Sequence, residues 1–384
     1  MNLTIPSAHS RPASELPIRK LLQWQTDSSL LFRIDWSSIE SLLGCNRAAQ
    51  FKLLQSRQGG SRSALTFGAA IHAGLEVWYR NKANIGKLVI EDLSIASYED
   101  KNSVATEILE REDLLRHCFS AIEQSFSEAP PNPFPDYRTC EYAIQSFHSY
   151  IENYRDELLT PAIHQSKPLV EFSFALPMGQ LQIPSSVFET WGFGLLTGDV
   201  EREEKAVKDK TVLTISLEWT GIIDMLTELH DGFYVVDHKT TSILSQDFFD
   251  GFEIAMQPTG YYTACKAAFP DLPVKGFMVN VLACRKPVAS ITKSGRPTTS
   301  KPFEALRRQY RYSDWHEAEF KRDALALVEE LFANIVNGFF PRKTQWCIGK
   351  YGKCPFFDVC SLPPKSRESM LASDIYVSNT WKPV

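Results

Sequence analysis

The sequence predicts a mixed α/β (α+β) protein, and three observations carry that expectation. Helical periodicity fills the first 160 or so residues and then gives way to strand-like alternation. Two alternating runs, Leu217–Leu229 and Phe233–Thr240, flank His230-Asp231-Gly232, and Asp-Gly between such runs is a strong short hairpin signal. An apolar run, Gly276–Leu282, follows a further helical stretch, so strands and helices interleave.

The elements follow in order. The opening residues are polar and Pro/Ser-containing, with no apolar core or cleavage site of a secretory leader, and 1–29 reads as a loose arm. Residues 36–55 read as a helix with Ser37 as N-cap and Glu40 three residues on. A second helix, 64–82, carries Leu65, Ile71, Leu75, Trp78 and Tyr79 at helical spacing, and 103–126 and 138–158 are two more, separated by PPNPFPD. Val170–Phe174 alternates as a strand, and the charged run EREEKAVKDK (201–210) reads as an exposed insertion. After the hairpin, a helix over 246–268 precedes the apolar strand. Asp314 with Glu317 forms a capping-box start for a helix running to Gly338, before Pro341.

Composition bounds the function. The chain is 43% hydrophobic and 23% charged, and no apolar run approaches the ~20 residues of a membrane span. A net charge of −5 argues against wholesale coating of nucleic acid. No glycine–lysine phosphate loop is present, which excludes an ATPase motor within the chain.

The hairpin carries the chemistry. With Asp231-Gly232 as the turn, His230 pairs with Phe233 and Asp224 lies opposite Lys239. Asp237, two residues from Lys239, shares its face, and the two carboxylates become diagonal neighbours within roughly 8 Å. Two carboxylates and a lysine on one face suit Mg²⁺ or Mn²⁺, hard cations that prefer oxygen. The alternative is a surface ion pair across a hairpin, which stabilises little. Glu171 on the preceding strand adds a carboxylate, and His72 offers an imidazole, with Glu76 one turn on or else paired with Arg80. Gln257 and Tyr261 share one face of the helix after the hairpin.

Eight cysteines occur. Cys118, Cys140, Cys265 and Cys284 sit in apolar or helical settings and read as small buried hydrophobes. Cys347, Cys354 and Cys360 fall within fourteen residues among turn-forming Gly and Pro, and Cys45 is the candidate fourth member of a metal-binding set. Thiolates select zinc or iron–sulfur sites, and close Cys pairs typical of zinc are missing from this spacing. Residues 285–311 hold Arg285, Lys286, Lys293, Arg296, Lys301, Arg307, Arg308 and Arg311 against the single acid Glu304, with aromatics interleaved. That pattern suits a single-strand path, or equally a solvated loop.

Gly68-x-x-x-His72, an acidic strand residue, Gly221-Ile222-Ile223-Asp224, Asp237-His238-Lys239-Thr240-Thr241 and Gln257-Pro258-Thr259-Gly260-Tyr261 occur in the order typical of RecB-like PD-(D/E)XK nucleases, and the chain resembles that family. The resemblance implies an αβββαβ core and divalent-metal chemistry. It implies His72, Asp224, Asp237 and Lys239 as central residues, Gln257 and Tyr261 as accessory, and Glu171 as a further ligand. The branch that includes CRISPR-associated adaptation nucleases has one cysteine before the core and three after it. This resemblance implies that Cys45, Cys347, Cys354 and Cys360 hold a [4Fe–4S] cluster, zinc being the alternative, closing a loop of about 300 residues.

The expected organisation is a single nuclease domain over 30–365, with a helical elaboration at 83–168, core at 169–285, basic segment at 285–312, cysteine clasp at 341–362 and tail at 366–384. The expected activity is DNA hydrolysis from ends with single-strand preference, in repair, recombination or phage-type processing. A helicase or recombination partner and a cytoplasmic, nucleoid-associated place in a bacterial or phage setting go with it. A nuclease-like DNA-binding subunit and a CRISPR-type adaptation nuclease are the competing readings.

Overall fold

A computed structural model of the chain describes residues 21–54, 57–58, 63–93, 101–129, 135–155, 159–287, 302–349, 352–373 and 375–378. The main elements are β1 (Gln23–Thr26), β2 (Ser29–Ile34), α1 (Trp36–Gly44), α2 (Ser63–Leu93), α3 (Lys101–Glu128), α4 (Cys140–Asn153) and β3 (Val170–Pro184). They continue with α5 (Val200–Lys208), β4 (Val212–Leu229), β5 (Gly232–Thr241), α6 (Met256–Ala268), β6 (Val274–Cys284), β7 (Phe303–Arg311) and α7 (Asp314–Val336). The expected mixed α/β class holds, and α2–β3–β4–β5–α6–β6 is the expected αβββαβ order. By contact density the chain divides into two compact units, one of 1–60, 174–221 and 319–384, the other of 61–173 and 222–318.

The second unit is built on the strand order β4-β5-β6-β7, paired antiparallel, parallel and antiparallel. The β6 sequence VKGFMVNVLAC is buried almost throughout, as expected of a strand covered on both faces. Phe67, Ile71, Leu75, Trp78 and Tyr79 of α2 pack with Phe147 and Tyr150 of α4 and with Met225, Val236 and Met278 from three strands. Those α2 positions recur at three- and four-residue steps, which turns one face toward the sheet. Leu65, expected on that face, is instead exposed, and Phe67 takes the place. Gly276 is where β7 comes closest to β6: a Cβ there would lie 1.9 Å from the Tyr310 carbonyl oxygen.

In the first unit β1 and β2 form an antiparallel pair, and β2 runs parallel to the start of β4, from Ser29 opposite Thr214 to Ile34 opposite Trp219. Trp219 is fully buried, edge-on to Phe320, and Phe32 meets Phe332 likewise. The expected loose arm therefore contains a strand at Gln23–Thr26, while residues 1–20 lie outside the described residues. The expected tail begins inside a helix, Pro364–Leu371.

Several local expectations change. The single helix over 36–55 is capped by Asp35, which accepts from Ser38 N, and stops at Gly44 because Cys45 adopts extended backbone angles. Asn46–Ala49 and a π-helical turn, Gln50–Leu54, follow. The charged run at 201–210 is largely exposed, as expected, and is mostly helix α5. Its Glu203 is buried and accepts from Thr197 N at 3.0 Å, Thr197 Oγ1 at 2.7 Å and Gly194 N. Asp314 and Glu317 do not close a capping box; both contact Lys266 Nζ, at 2.5 and 3.1 Å. The helix over 246–268 is two, Gln246–Asp250 and α6, with a 3₁₀ turn between.

The crowding at Gly276 makes a test of the β6–β7 contact. Gly276→Ala is expected to lower unfolding stability by about 1–3 kcal/mol, as overpacking against backbone does, read from the midpoint of urea denaturation at unchanged slope.

Candidate active site

The site forms where β4, β5, α2 and the start of β3 meet within the second unit. The hairpin turns at His230-Asp231, with Leu229 opposite Gly232 and Met225 opposite Val236. This register is two residues from the expected one: Gly232 begins β5 instead of closing the turn, at φ 141° and where an added Cβ would meet the Pro273 carbonyl at 2.5 Å. A two-residue slip leaves every side chain on its face. One step beyond Met225–Val236, Asp224 comes beside Asp237 rather than Lys239. Asp224 Oδ2 accepts from the His238 amide at 2.6 Å. Lys239 Nζ lies 2.8 Å from Asp237 Oδ1, which it bonds, and 2.6 Å from Oδ2, which is buried without a hydrogen bond of its own.

Helix α2 brings His72 to the same place. Gly68, one turn earlier, lets the helix approach β5, since a Cβ there would already touch Thr240 Oγ1 at 3.4 Å. His72 Nε2 donates to the His238 carbonyl at 2.8 Å. That bond fixes the tautomer and leaves the Nδ1 lone pair facing Asp224 Oδ2 at 3.6 Å and Glu171 Oε1 at 4.0 Å. Glu171 holds φ at 47°, a left-handed conformation that costs a non-glycine residue on the order of 1 kcal/mol. Ligand atoms of His72, Glu171 and Asp224 all lie within 4.8 Å of one another.

Charge is crowded here. Burial, then the nearby charges of Asp224 and Glu76, push the Glu171 carboxyl up to about 8, against the pull of Arg80. Burial also raises Asp237, opposed by Lys239. One imidazole nitrogen and converging carboxylates fit a divalent cation of the Mg²⁺ or Mn²⁺ kind. Glu76 itself pairs with Arg80 at 2.9 Å. Gln257 Nε2 donates to Tyr261 OH at 3.2 Å, so these two engage each other on α6.

Behind the site lies a polar network that the sequence reading missed. Asn280 donates from Nδ2 to His238 Nδ1 at 2.6 Å and to Tyr150 OH at 2.8 Å, and its Oδ1 accepts from Arg307 Nε at 2.8 Å. Arg307 also reaches Tyr79 OH and Tyr150 OH, at 2.9 and 2.6 Å, with its guanidinium 3.8 Å from the centre of the Tyr154 ring. Tyr79 stacks on His238, and burial holds that imidazole down at about 3, so it stays neutral. The signal was available: Asn280 is the one amide in an otherwise apolar strand, and a buried amide needs partners.

The basic stretch is correspondingly altered. Residues 303–311 form β7 rather than an open path, and Arg307 is committed to the network. Arg285 pairs with Glu304 at 2.7 Å, Arg308 with Asp250 at 3.3 Å, and Arg311 with Asp231. Lys286 is exposed, while Lys293, Arg296 and Lys301 lie outside the described residues.

Cys45, Cys347, Cys354 and Cys360 all belong to the first unit and are free thiols. Cys354 N donates to the Cys347 carbonyl at 2.9 Å, and Lys343 N points to Cys45 Sγ at 3.4 Å. Burial raises Cys354 and Cys360, and each is raised further by neighbouring thiols, Cys45 among them. Among the described residues no three of these sulfurs lie within 4.8 Å of one another.

A sequence model of the PD-(D/E)XK nuclease superfamily matches residues 34–361. The chain belongs to the PD-(D/E)XK nuclease superfamily. No curated protein matches it. The match spans both the candidate metal-site residues and the four cysteines. Among the described residues of this nuclease-family chain, no helix is long and apolar enough to cross a membrane.

Two expectations follow. Glu171 binds a proton in the folded, cation-free protein up to about pH 8, well above its ordinary 4.5. The folded state therefore holds more protons than the unfolded one in that window, and stability falls as pH rises through it. Glu171→Gln should flatten this slope in thermal unfolding with EDTA, and wild-type Mn²⁺ affinity by calorimetry should rise up to about tenfold per pH unit as the proton is displaced. Asn280→Ala strands donors and acceptors in the network and should cost about 2 kcal/mol in urea unfolding.

Proposed function

We propose that this protein is a divalent-metal-dependent deoxyribonuclease that acts from DNA ends with preference for single strands. The observation that carries the reading is the convergence of His72, Glu171 and Asp224 beside the Asp237–Lys239 pair, in a chain of the nuclease superfamily. His72, Glu171 and Asp224 would hold the cation, with Asp237 as a further ligand through its buried Oδ2. Bound there, Mg²⁺ or Mn²⁺ polarises a phosphate oxygen and makes water more acidic.

The chain's own groups supply the rest. Lys239 is held against Asp237 at one edge of the carboxylate cluster, where its ammonium orients a water molecule and offsets negative charge growing on the phosphoryl oxygens. Water adds to phosphorus, and the bridging oxygen departs and takes up a proton. The His238 amide keeps Asp224 in place, and the His72 tautomer keeps Nδ1 available. Gln257 and Tyr261 act as an accessory pair on α6, contacting the phosphate or base.

The four cysteines hold a [4Fe–4S] cluster in this reading, and the chain falls in the RecB-like branch that carries one. Sulfurs around a single zinc ion at about 2.3 Å must crowd closely, whereas those of a multi-iron cluster bind separate irons and stand further apart. A role in repair, recombination or phage-type processing, with a helicase or recombination partner, accompanies this assignment.

The test is cleavage of end-labelled single- and double-stranded DNA and of RNA with Mn²⁺ or Mg²⁺, using anaerobically purified protein. Lys239→Ala should lower the rate at least about a hundredfold while retaining Mn²⁺ binding, and the product ladder reads the end preference. Intact substrate after incubation with iron-loaded wild type would refute an autonomous nuclease. Iron and acid-labile sulfide analysis, with each cysteine changed to serine, tests the cluster.

A further inference from the structure

The cations around the four cysteines differ from those elsewhere in the chain. Across the rest of the described residues arginines commonly find carboxylates, as Arg33 does with Glu218, Arg80 with Glu76 and Arg285 with Glu304. Around the thiols they are anchored on backbone carbonyls instead. Arg47 Nε donates to the Phe340 carbonyl at 2.8 Å, Arg342 Nη1 to that of Cys360 at 3.3 Å, Lys343 Nζ to that of Leu42 at 3.3 Å, and Arg367 Nε to that of Leu362 at 3.0 Å. Lys353 Nζ sits 4.9 Å from the centre of the Phe357 ring. None of these five forms an ion pair with a described residue. A guanidinium has five N–H donors, so one carbonyl bond fixes its direction and leaves most of its donors unused.

Large apolar side chains stand exposed among these cations. Phe339 is 60% exposed, Trp346 56% and Ile348 67%. Phe339 and Trp346 bracket Arg342 and Lys343 in sequence, Arg47 approaches the Phe339 ring at 5.9 Å, and Trp346 immediately precedes Cys347. Rings held open to water between unpaired cations, in a chain of net charge −5, match a polyanion that carries flat apolar groups. A single nucleic-acid strand has that chemistry: phosphates meet the cations and unstacked bases meet the rings. An acidic protein would answer the charge but gives no reason for exposed aromatic faces.

We propose that the residues flanking Cys347 form a strand-binding surface, with Phe339 and Trp346 stacking on bases and Arg342, Lys343 and Lys353 contacting phosphates. Arg47 and Arg367, half-buried and both acting electrostatically on Cys360, are left to offset charge at the cysteines. The inference rests on the nuclease reading for its substrate class and adds where in the chain a strand is held.

The experiment measures binding of fluorescein-labelled oligothymidylate and oligouridylate to the full chain by anisotropy, over a range of salt, with EDTA to prevent cleavage. Trp346→Ala should weaken oligothymidylate binding about tenfold, the scale of one lost stacking contact, and Trp346→Phe should restore most of it. Arg342→Gln with Lys343→Gln should lower the slope of log affinity against log salt by about 1.4, two phosphate contacts on a single strand. The same losses with oligouridylate extend the surface to RNA; losses confined to oligothymidylate restrict it to DNA. Wild-type affinity and slope in these variants would overturn the proposal and leave the patch to an acidic protein. So would a Trp346→Phe protein that binds as poorly as Trp346→Ala, or variants that lose iron at the cysteines while binding the strand normally. Ring-dependent binding by a wild type that cleaves nothing with Mn²⁺ would sink the nuclease reading alone.

Discussion

The hydrogen bond from the His238 amide to Asp224 Oδ2 commits a backbone donor to a carboxylate one step beyond the Met225–Val236 pair of the β4–β5 ladder. A carboxylate accepting a short N–H bond is held firmly, and its position determines what can stand around it. His72 faces the same Oδ2, and its own N–H is occupied by the carbonyl of the very residue whose amide Asp224 has taken. The two backbone polar groups of His238 thus tie helix and strand around one carboxylate. Glu171 is brought in at the expense of an unfavourable backbone angle, and Asp237 at the expense of burial. Local arrangements unfavourable in isolation persist where the surroundings over-determine them, and such places are commonly functional.

Holding these acidic groups together is costly, and the cost shows in the raised Glu171 and Asp237 carboxyls as well as in the Glu171 backbone angle. Lys239 offsets part of it from one side. The buried network offsets it from another, by fixing His238 as a neutral ring between Asn280 and the stacked Tyr79. Because Asn280 uses all of its amide donors and its carbonyl in that network, a rotation of its amide would break several bonds at once. The rigidity of the Asp237-His238-Lys239 segment therefore comes from behind the sheet as well as from the ladder.

Much of this was legible in the chain itself. Strand alternation put Asp237 and Lys239 on one face whatever the register, and the two-residue slip changed which residue Asp224 faces without changing its side of the sheet. His72 was visible as an imidazole at helical spacing from an apolar face, and its orienting bond was not, because a carbonyl partner carries no sequence mark. The network escaped because Arg307 looked like one more cation in a basic stretch, although pairing with β6 turns it inward. The break at Cys45 was hidden for a similar reason: residues 36–55 have good helical composition, and only the extended angles of one residue interrupt them. The charged run at 201–210 is exposed as its composition suggests, apart from the buried Glu203, whereas β7 engages all three of its arginines.

The division of the chain has a consequence for how the protein is made. Every residue of the candidate metal site lies before position 262, whereas three of the four clustered cysteines lie after position 346. Synthesis proceeds from the N-terminus, and domains tend to fold as units as they emerge. The acidic site can therefore assemble on the ribosome while Cys45 still waits for its companions. The first unit, interrupted twice by the second, gains its last segment only when residues 319–384 appear. A metal held by all four thiols could be taken up only after residue 360 has been made, by which time every carboxylate of the candidate site is already part of the chain.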